Sequence, residues 1–73
     1  MKYIIELKSY KDIDNTTRNK IKNEKLILIC CTSEIIDHPK GFNIVVFDKN
    51  DDIKGKFISL EDAKEYAEFL SNK

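Results

Sequence analysis

Few side chains in this sequence have the type and spacing to do chemistry. Asp48-x-Asn50-x-Asp52 places oxygen donors at alternate positions, as the first ligands of a calcium-binding EF-hand loop do. The match stops there, because Ile53 stands where that loop needs Gly and Ser59 where it needs a bidentate Glu. The flanks alternate like strands, so the segment reads as a polar hairpin loop. His38 is the only side chain with a near-neutral ordinary pKa and is the default acid–base candidate. It sits in Asp37-His38-Pro39-Lys40-Gly41, a turn by composition, and no nucleophile can be paired with it from sequence. It reads as a solvent-facing turn residue. Cys30 and Cys31 are adjacent; in a strand their thiols point to opposite faces and cannot bridge without strain. They are expected to be free thiols that pack as small hydrophobes in a reducing compartment. With one His and no C-x-x-C spacing, a tetrahedral zinc site cannot be assembled from one chain without carboxylates. The sequence also lacks glycine-rich phosphate loops and nucleophile elbows. No catalytic residue, metal ligand or cofactor is assigned, and the chain is expected not to be an enzyme.

Charge is the remaining chemistry. Lys and Arg number 13 and Asp and Glu 13, a balance that argues against a protein built mainly to grip a phosphate backbone. The charges are mildly segregated: residues 1–25 are net basic and residues 48–73 net acidic. Arg18, Lys20, Lys22 and Lys25, with Tyr10 upstream, are the candidate nucleic-acid-binding set. Glu61, Glu65 and Glu68 are the candidate partner-binding set, able to occupy a basic groove intended for nucleic acid. No stretch approaches the ~20 apolar residues of a membrane span. The apolar run after Met1-Lys2 is broken at Glu6, with no small-residue cleavage site, so a cytoplasmic location is expected.

The elements that must position these residues follow from periodicity. Tyr3 to Lys8 alternates, with Tyr3, Ile5 and Leu7 facing inward, and reads as a first strand. Between Lys11 and Lys25 only Ile13 and Ile21 are apolar; the segment is a loop or a short helix capped by Asp14, Asn15 or Thr16 and running toward Asn23. Lys25 to Ser33 is a second strand. Its run Leu26-Ile27-Leu28-Ile29-Cys30-Cys31 points apolar groups from both faces, which suits a sheet centre, and Ile35 and Ile36 extend or bulge it. After the turn at 37–41 comes a third strand, in which Phe42, Ile44 and Val46 point one way and Val45 and Phe47 the other. The fourth, Ile53 to Ile58, sets Ile53, Gly55 and Phe57 on one face, and a Gly there signals a bulge or a close backbone approach. Ser59 then caps a helix, with Asp62 in the place of a capping-box acid. Leu60, Ala63, Ala67 and Leu70 form its inner stripe, flanked by Tyr66 and Phe69.

The expected architecture is one α+β domain over residues 1–73. It is a small four-stranded, mostly antiparallel meander with the C-terminal helix packed on one face and a short helix possible between strands 1 and 2. A chain of this length sits near the lower limit for a self-sufficient core. Its second apolar face must be covered by Thr16–Glu24, by another copy or by a partner. Ile27, Ile29, Cys31, Val45 and Phe47 are the candidate residues of that face, with a homodimer as the expected assembly. The segment Lys56-Phe57-Ile58-Ser59-Leu60-Glu61-Asp62-Ala63-Lys64-Glu65-Tyr66-Ala67 resembles the strand-into-helix join of small modules that include antitoxins of the HicB type. The glycine-rich strand pattern that precedes the join in that group is missing here. The expected function is that of a small non-enzymatic macromolecule-binding protein, and the Lys, Asn and Ile bias suggests an AT-rich bacterial or phage source. An inhibitor from a phage or mobile element, docking on a host defence complex, is the first reading. A nucleic-acid-binding or antitoxin-like regulator is the second.

Overall fold

The computed structural model describes residues 2–32 and 43–72. Its elements are β1 (Tyr3–Glu6), a 3-10 turn (Tyr10–Asp12), α1 (Asn15–Glu24), β2 (Ile27–Cys31), β3 (Ile44–Phe47), β4 (Ile53–Phe57) and α2 (Leu60–Ser71). They form a four-stranded sheet in the order β1-β2-β3-β4. The strand that is apolar on both sides therefore lies inside the sheet, where neighbours satisfy both rows of its peptide groups. The β2–β3 and β3–β4 pairs are antiparallel. The β1–β2 pair is parallel, so the start of the chain is a β–α–β crossover and not the first turn of a meander. Alternation of side chains is the same in either direction; strand direction is decided by α1, which carries the chain back to the end where β1 began.

The short helix between the first two strands forms. Asp14 is its N-cap, its carboxylate accepting from the Thr17 amide at 2.7 Å. Lys25 ends it in the left-handed region at φ 55°, a position where Gly is usual. Its isolated isoleucines are sufficient. Ile13 and Ile21 are 6% and 8% exposed, and they pack with Leu28, Cys30, Val45 and Phe47 on one face of the sheet, with Ile4 and Tyr10 at the margin. On the other face Ala63 and Ala67 of α2 meet Ile27, Ile29, Ile44 and Val46, bordered by Tyr3, Ile5, Phe57, Leu60, Tyr66 and Leu70. The latter face is thus covered by α2, and the former by Tyr10 and Ile13 of the segment before α1 together with Ile21 of α1.

This packing corrects the grouping of Ile27, Ile29, Cys31, Val45 and Phe47. In the antiparallel register Leu28 stands opposite Phe47 and Cys30 opposite Val45, and directly opposed residues share a face. Val45 and Phe47 therefore lie on the face that holds Tyr10, Ile13 and Ile21, whereas Ile27, Ile29 and Cys31 lie under α2. All are buried except the half-buried Cys31, so they make neither one face nor an open one.

Other local expectations are met or corrected. Leu7 lies beyond the end of β1 and is 77% exposed. In β4 the register shifts: Gly55 stands opposite Val46 but Ile53 opposite Phe47, which leaves Lys54 between the paired positions. That bulge breaks the alternation, so Ile53 is half-exposed instead of joining Phe57 inside. What crowds Gly55 is side chain and not backbone: a Cβ there would come within 2.6 Å of Phe57 Cε2 and 3.0 Å of Tyr66 Cε2. Ser59 is the N-cap of α2 but makes no side-chain cap bond, and no capping box forms; the Asp62 side chain is one methylene shorter than the Glu such a box prefers. The Asp37–Gly41 turn with His38, and Ile35, Ile36 and Phe42, lie outside the described residues. Among the described residues, no helix is long and apolar enough to cross a membrane.

Candidate binding surface

Asp48, Asn50 and Asp52 build a turn. Asp48 Oδ1 accepts from the amides of Asn50 at 2.8 Å and Asp52 at 3.0 Å, while Asp48 Oδ2 lies 3.8 Å from Lys54 Nζ. The carboxylate of the first position is spent on its own loop, which is the hairpin reading. Among the described residues no group of His, Cys, Asp and Glu gathers to hold a metal ion. Both cysteines are free. Burial, ahead of weaker contributions from nearby acidic groups, pushes the Cys30 thiol up to about 12. Burial also raises the Cys31 thiol, against an opposing pull from Lys64. In both, burial favours the protonated thiol over the thiolate.

The basic cluster of the sequence divides in space. Arg18 is a structural clamp: it donates to the Tyr10 hydroxyl at 3.0 Å, the Tyr10 carbonyl at 3.2 Å and the Ile13 carbonyl at 3.4 Å. Its guanidinium carbon is 4.6 Å from the centre of the Tyr10 ring, and the ring stacks on Phe47 at 4.2 Å. A further 3.8 Å ion pair with Asp51 ties the β3–β4 loop to the same clamp. Burial, more than its polar neighbours, raises the pKa of the Tyr10 hydroxyl. Lys22 and Lys25 line a groove of about 690 Å³ beside Arg18, with Ile13, Ile21 and Leu28 also in its lining. Lys20 lines a different groove, next to β1. Residues four apart share a helix face and residues two apart do not, so Lys22 follows Arg18 and Lys20 turns away. Lys49 joins Lys22 and Lys25 from the β3–β4 loop. Sequence reasoning missed it because nothing local links that loop to α1; the link is Arg18–Asp51.

The acidic set stays together. Glu61, Glu65 and Glu68 are exposed and recur at i, i+4 and i+7, one outward ridge along α2. Glu68 lies 3.8 Å from Lys2 Nζ. Beside the ridge Phe69 is 55% exposed and stacks on Tyr66 with ring centres 6.2 Å apart; Tyr66 in turn is 5.5 Å from Phe57 and donates to the Lys54 carbonyl at 3.0 Å. Asp62, Glu65, Tyr66 and Phe69 together line a shallow concavity of about 390 Å³. Carboxylates next to a supported aromatic surface suit a cationic group, which the carboxylates attract and the ring face accommodates. Comparison with protein-family models, curated proteins and solved structures yields no match to this chain. The strand-into-helix join at 56–67 is present locally, as β4 leading into α2.

Proposed function

We propose that this chain is a small non-enzymatic macromolecule-binding protein that acts by surface docking, with Glu61, Glu65 and Glu68 as its contact with a basic partner. The observation that carries the reading is the continuous outward ridge of these carboxylates beside the half-exposed ring of Phe69. Both apolar faces of the sheet are closed within the chain, which leaves the charged exterior as the working surface. A basic groove that normally holds nucleic acid is the complementary target. With the compositional bias toward Lys, Asn and Ile, this supports an inhibitor from a phage or mobile element that blocks a host defence complex in the cytoplasm.

The test is capture of host proteins with the wild-type chain and with Glu61→Lys, Glu65→Lys and Glu68→Lys combined. The reading expects captured proteins that bind nucleic acid, that are displaced by added nucleic acid, and that the triple variant fails to retain. Capture that survives the triple variant removes the ridge as the contact. A second reading, a nucleic-acid-binding regulator, is supported by the convergence of Lys22, Lys25 and Lys49 on one groove. It expects direct binding to nucleic acid that falls steeply with salt and is lost when those lysines, but not Lys20, are replaced.

A further inference from the structure

The edges of this sheet are built differently. β4 carries the features that keep an edge strand from recruiting another: Lys54 and Lys56 along it, Gly55 within it and a register shift. β1 has no lysine, glycine or register shift, and its one charged residue is Glu6 at the end. Tyr3-Ile4-Ile5-Glu6 is aromatic and β-branched with an unbroken register against β2. Among the described residues no strand lies on its outer side. There it borders a groove of about 1060 Å³, walled by Thr16, Thr17 and Lys20 from α1 and by Lys64 and Glu68 from α2. An exposed strand edge between two walls is a slot for another strand.

Backbone direction limits what can enter. The Ile27 amide donates to the Lys2 carbonyl at 3.2 Å, and Tyr3 is the residue opposite Ile27. In a parallel ladder this turns the peptide groups of Lys2, Ile4 and Glu6 toward β2, so by alternation those of Tyr3 and Ile5 point outward into the slot. We infer that they are taken up by β1 of a second copy of this chain, running antiparallel about a two-fold axis through Ile4. Tyr3 then stands opposite Ile5 of the second copy, and the two exchange both hydrogen bonds; symmetry repeats the exchange. The strand is complementary to itself in this register. Lys2 meets Glu6, an aromatic ring meets a β-branched side chain, and Ile4 meets Ile4 on the axis. Slipping by one residue pairs outward peptide groups with inward ones. Slipping by two sets Lys2 against Lys8 in one sense, or Tyr3 against Tyr3 with Lys2 against Ile4 in the other. In the single chain the Lys2 ammonium is held toward the end of α2, 2.7 Å from Asn72 Oδ1 and 3.8 Å from Glu68 Oε2, and pairing exchanges those exposed partners for Glu6 of the second copy. The contact uses the same surface on both copies, so it closes as a dimer and does not propagate. It shares Glu68 with the acidic ridge, since that carboxylate walls the slot and lies 3.8 Å from Lys2 Nζ; Glu61 and Glu65 stand outside the slot.

Sedimentation equilibrium of the full chain in reducing buffer, up to millimolar concentration, tests the inference together with a charge swap. Glu6→Lys and Lys2→Glu each set like charges opposite one another twice per dimer, and each is expected to weaken dimerisation about tenfold. The double variant, Lys2→Glu with Glu6→Lys, restores it. Ile4→Cys, on the axis where directly opposed Cα atoms come within disulfide range, is expected to cross-link on oxidation, and Leu7→Cys is not. A chain that stays monomeric throughout overturns the inference. So does a dimer indifferent to both single swaps, or one that Leu7→Cys cross-links as readily as Ile4→Cys. If Ile4→Cys fails to fold, the charge-swap series decides, since Lys2 and Glu6 lie outside both buried clusters.

Discussion

Replacing Ile21 by Ala tests whether α1 closes the second face of the sheet. Ile21 is 8% exposed and is the only residue of α1 that is buried. Losing its outer carbons forfeits about 2–2.5 kcal/mol of transfer free energy at ~0.8 kcal/mol per buried methylene. The cavity left behind adds to this, and core Ile-to-Ala changes span about 2–5 kcal/mol. Two features place this site in the lower half of that range. Ile21 borders the groove lined by Lys22 and Lys25, so solvent and lysine stems can move into part of the space. Ala is also the better helix former, returning roughly 0.4 kcal/mol. The expected loss is therefore about 2–3 kcal/mol. At ~4–8 °C per kcal/mol for a domain of this size, the melting temperature falls by about 10–20 °C. Urea unfolding followed by far-UV circular dichroism measures the loss directly, with an unchanged m-value expected because the same surface is exposed on unfolding. A loss under about 0.5 kcal/mol is that of an ordinary surface substitution and would refute the claim that α1 covers this face.

Two further outcomes follow from the packing. Gly55→Ala drives a Cβ to 2.6 Å from Phe57 Cε2 and 3.0 Å from Tyr66 Cε2, so the rings under α2 must shift; a loss of about 1–3 kcal/mol is expected in the same unfolding assay, and a neutral or stabilising result would contradict the close approach. Cys30 links stability to alkaline pH. Its thiol is raised from 9.0 to about 12 in the folded chain; the unfolded chain therefore releases that proton first, and the contribution is complete below about pH 9 and lost as pH climbs toward 12. Unfolding curves across that window should show the decline, and Cys30→Val should flatten it; a native thiol titration in which Cys30 reacts faster than the half-buried Cys31 would count against the burial argument.

Much of the fold is legible in local sequence. The outward ridge of Glu61, Glu65 and Glu68 follows from a period of 3.6 residues on a helix whose inner stripe is marked by Ala63 and Ala67. Gly55 announced its bulge because a glycine among strand residues has few other uses. The contacts of α1 were not legible. Two isoleucines eight residues apart make no stripe, yet Ile13 precedes the helix and Ile21 lies in its last turns, and both reach the face that β2 and β3 share. Nor did spacing show that Arg18 belongs to Tyr10 and Asp51 while Lys49 belongs with Lys22. Those pairings join segments far apart in the chain.

By itself, then, the amino-acid sequence determined what period and composition encode: the α+β class, the central two-sided strand, the C-terminal helix with its acidic outer ridge, and the hairpin character of Asp48–Asp52. Only the tertiary structure decided strand direction, which residues share a face, and how the basic side chains divide between grooves. Side-chain alternation is blind to whether a neighbouring strand runs parallel or antiparallel and to which residue stands opposite. Those choices are made by the α1 crossover and the register of β2 against β3, and they decide that the second apolar face is covered from within the chain.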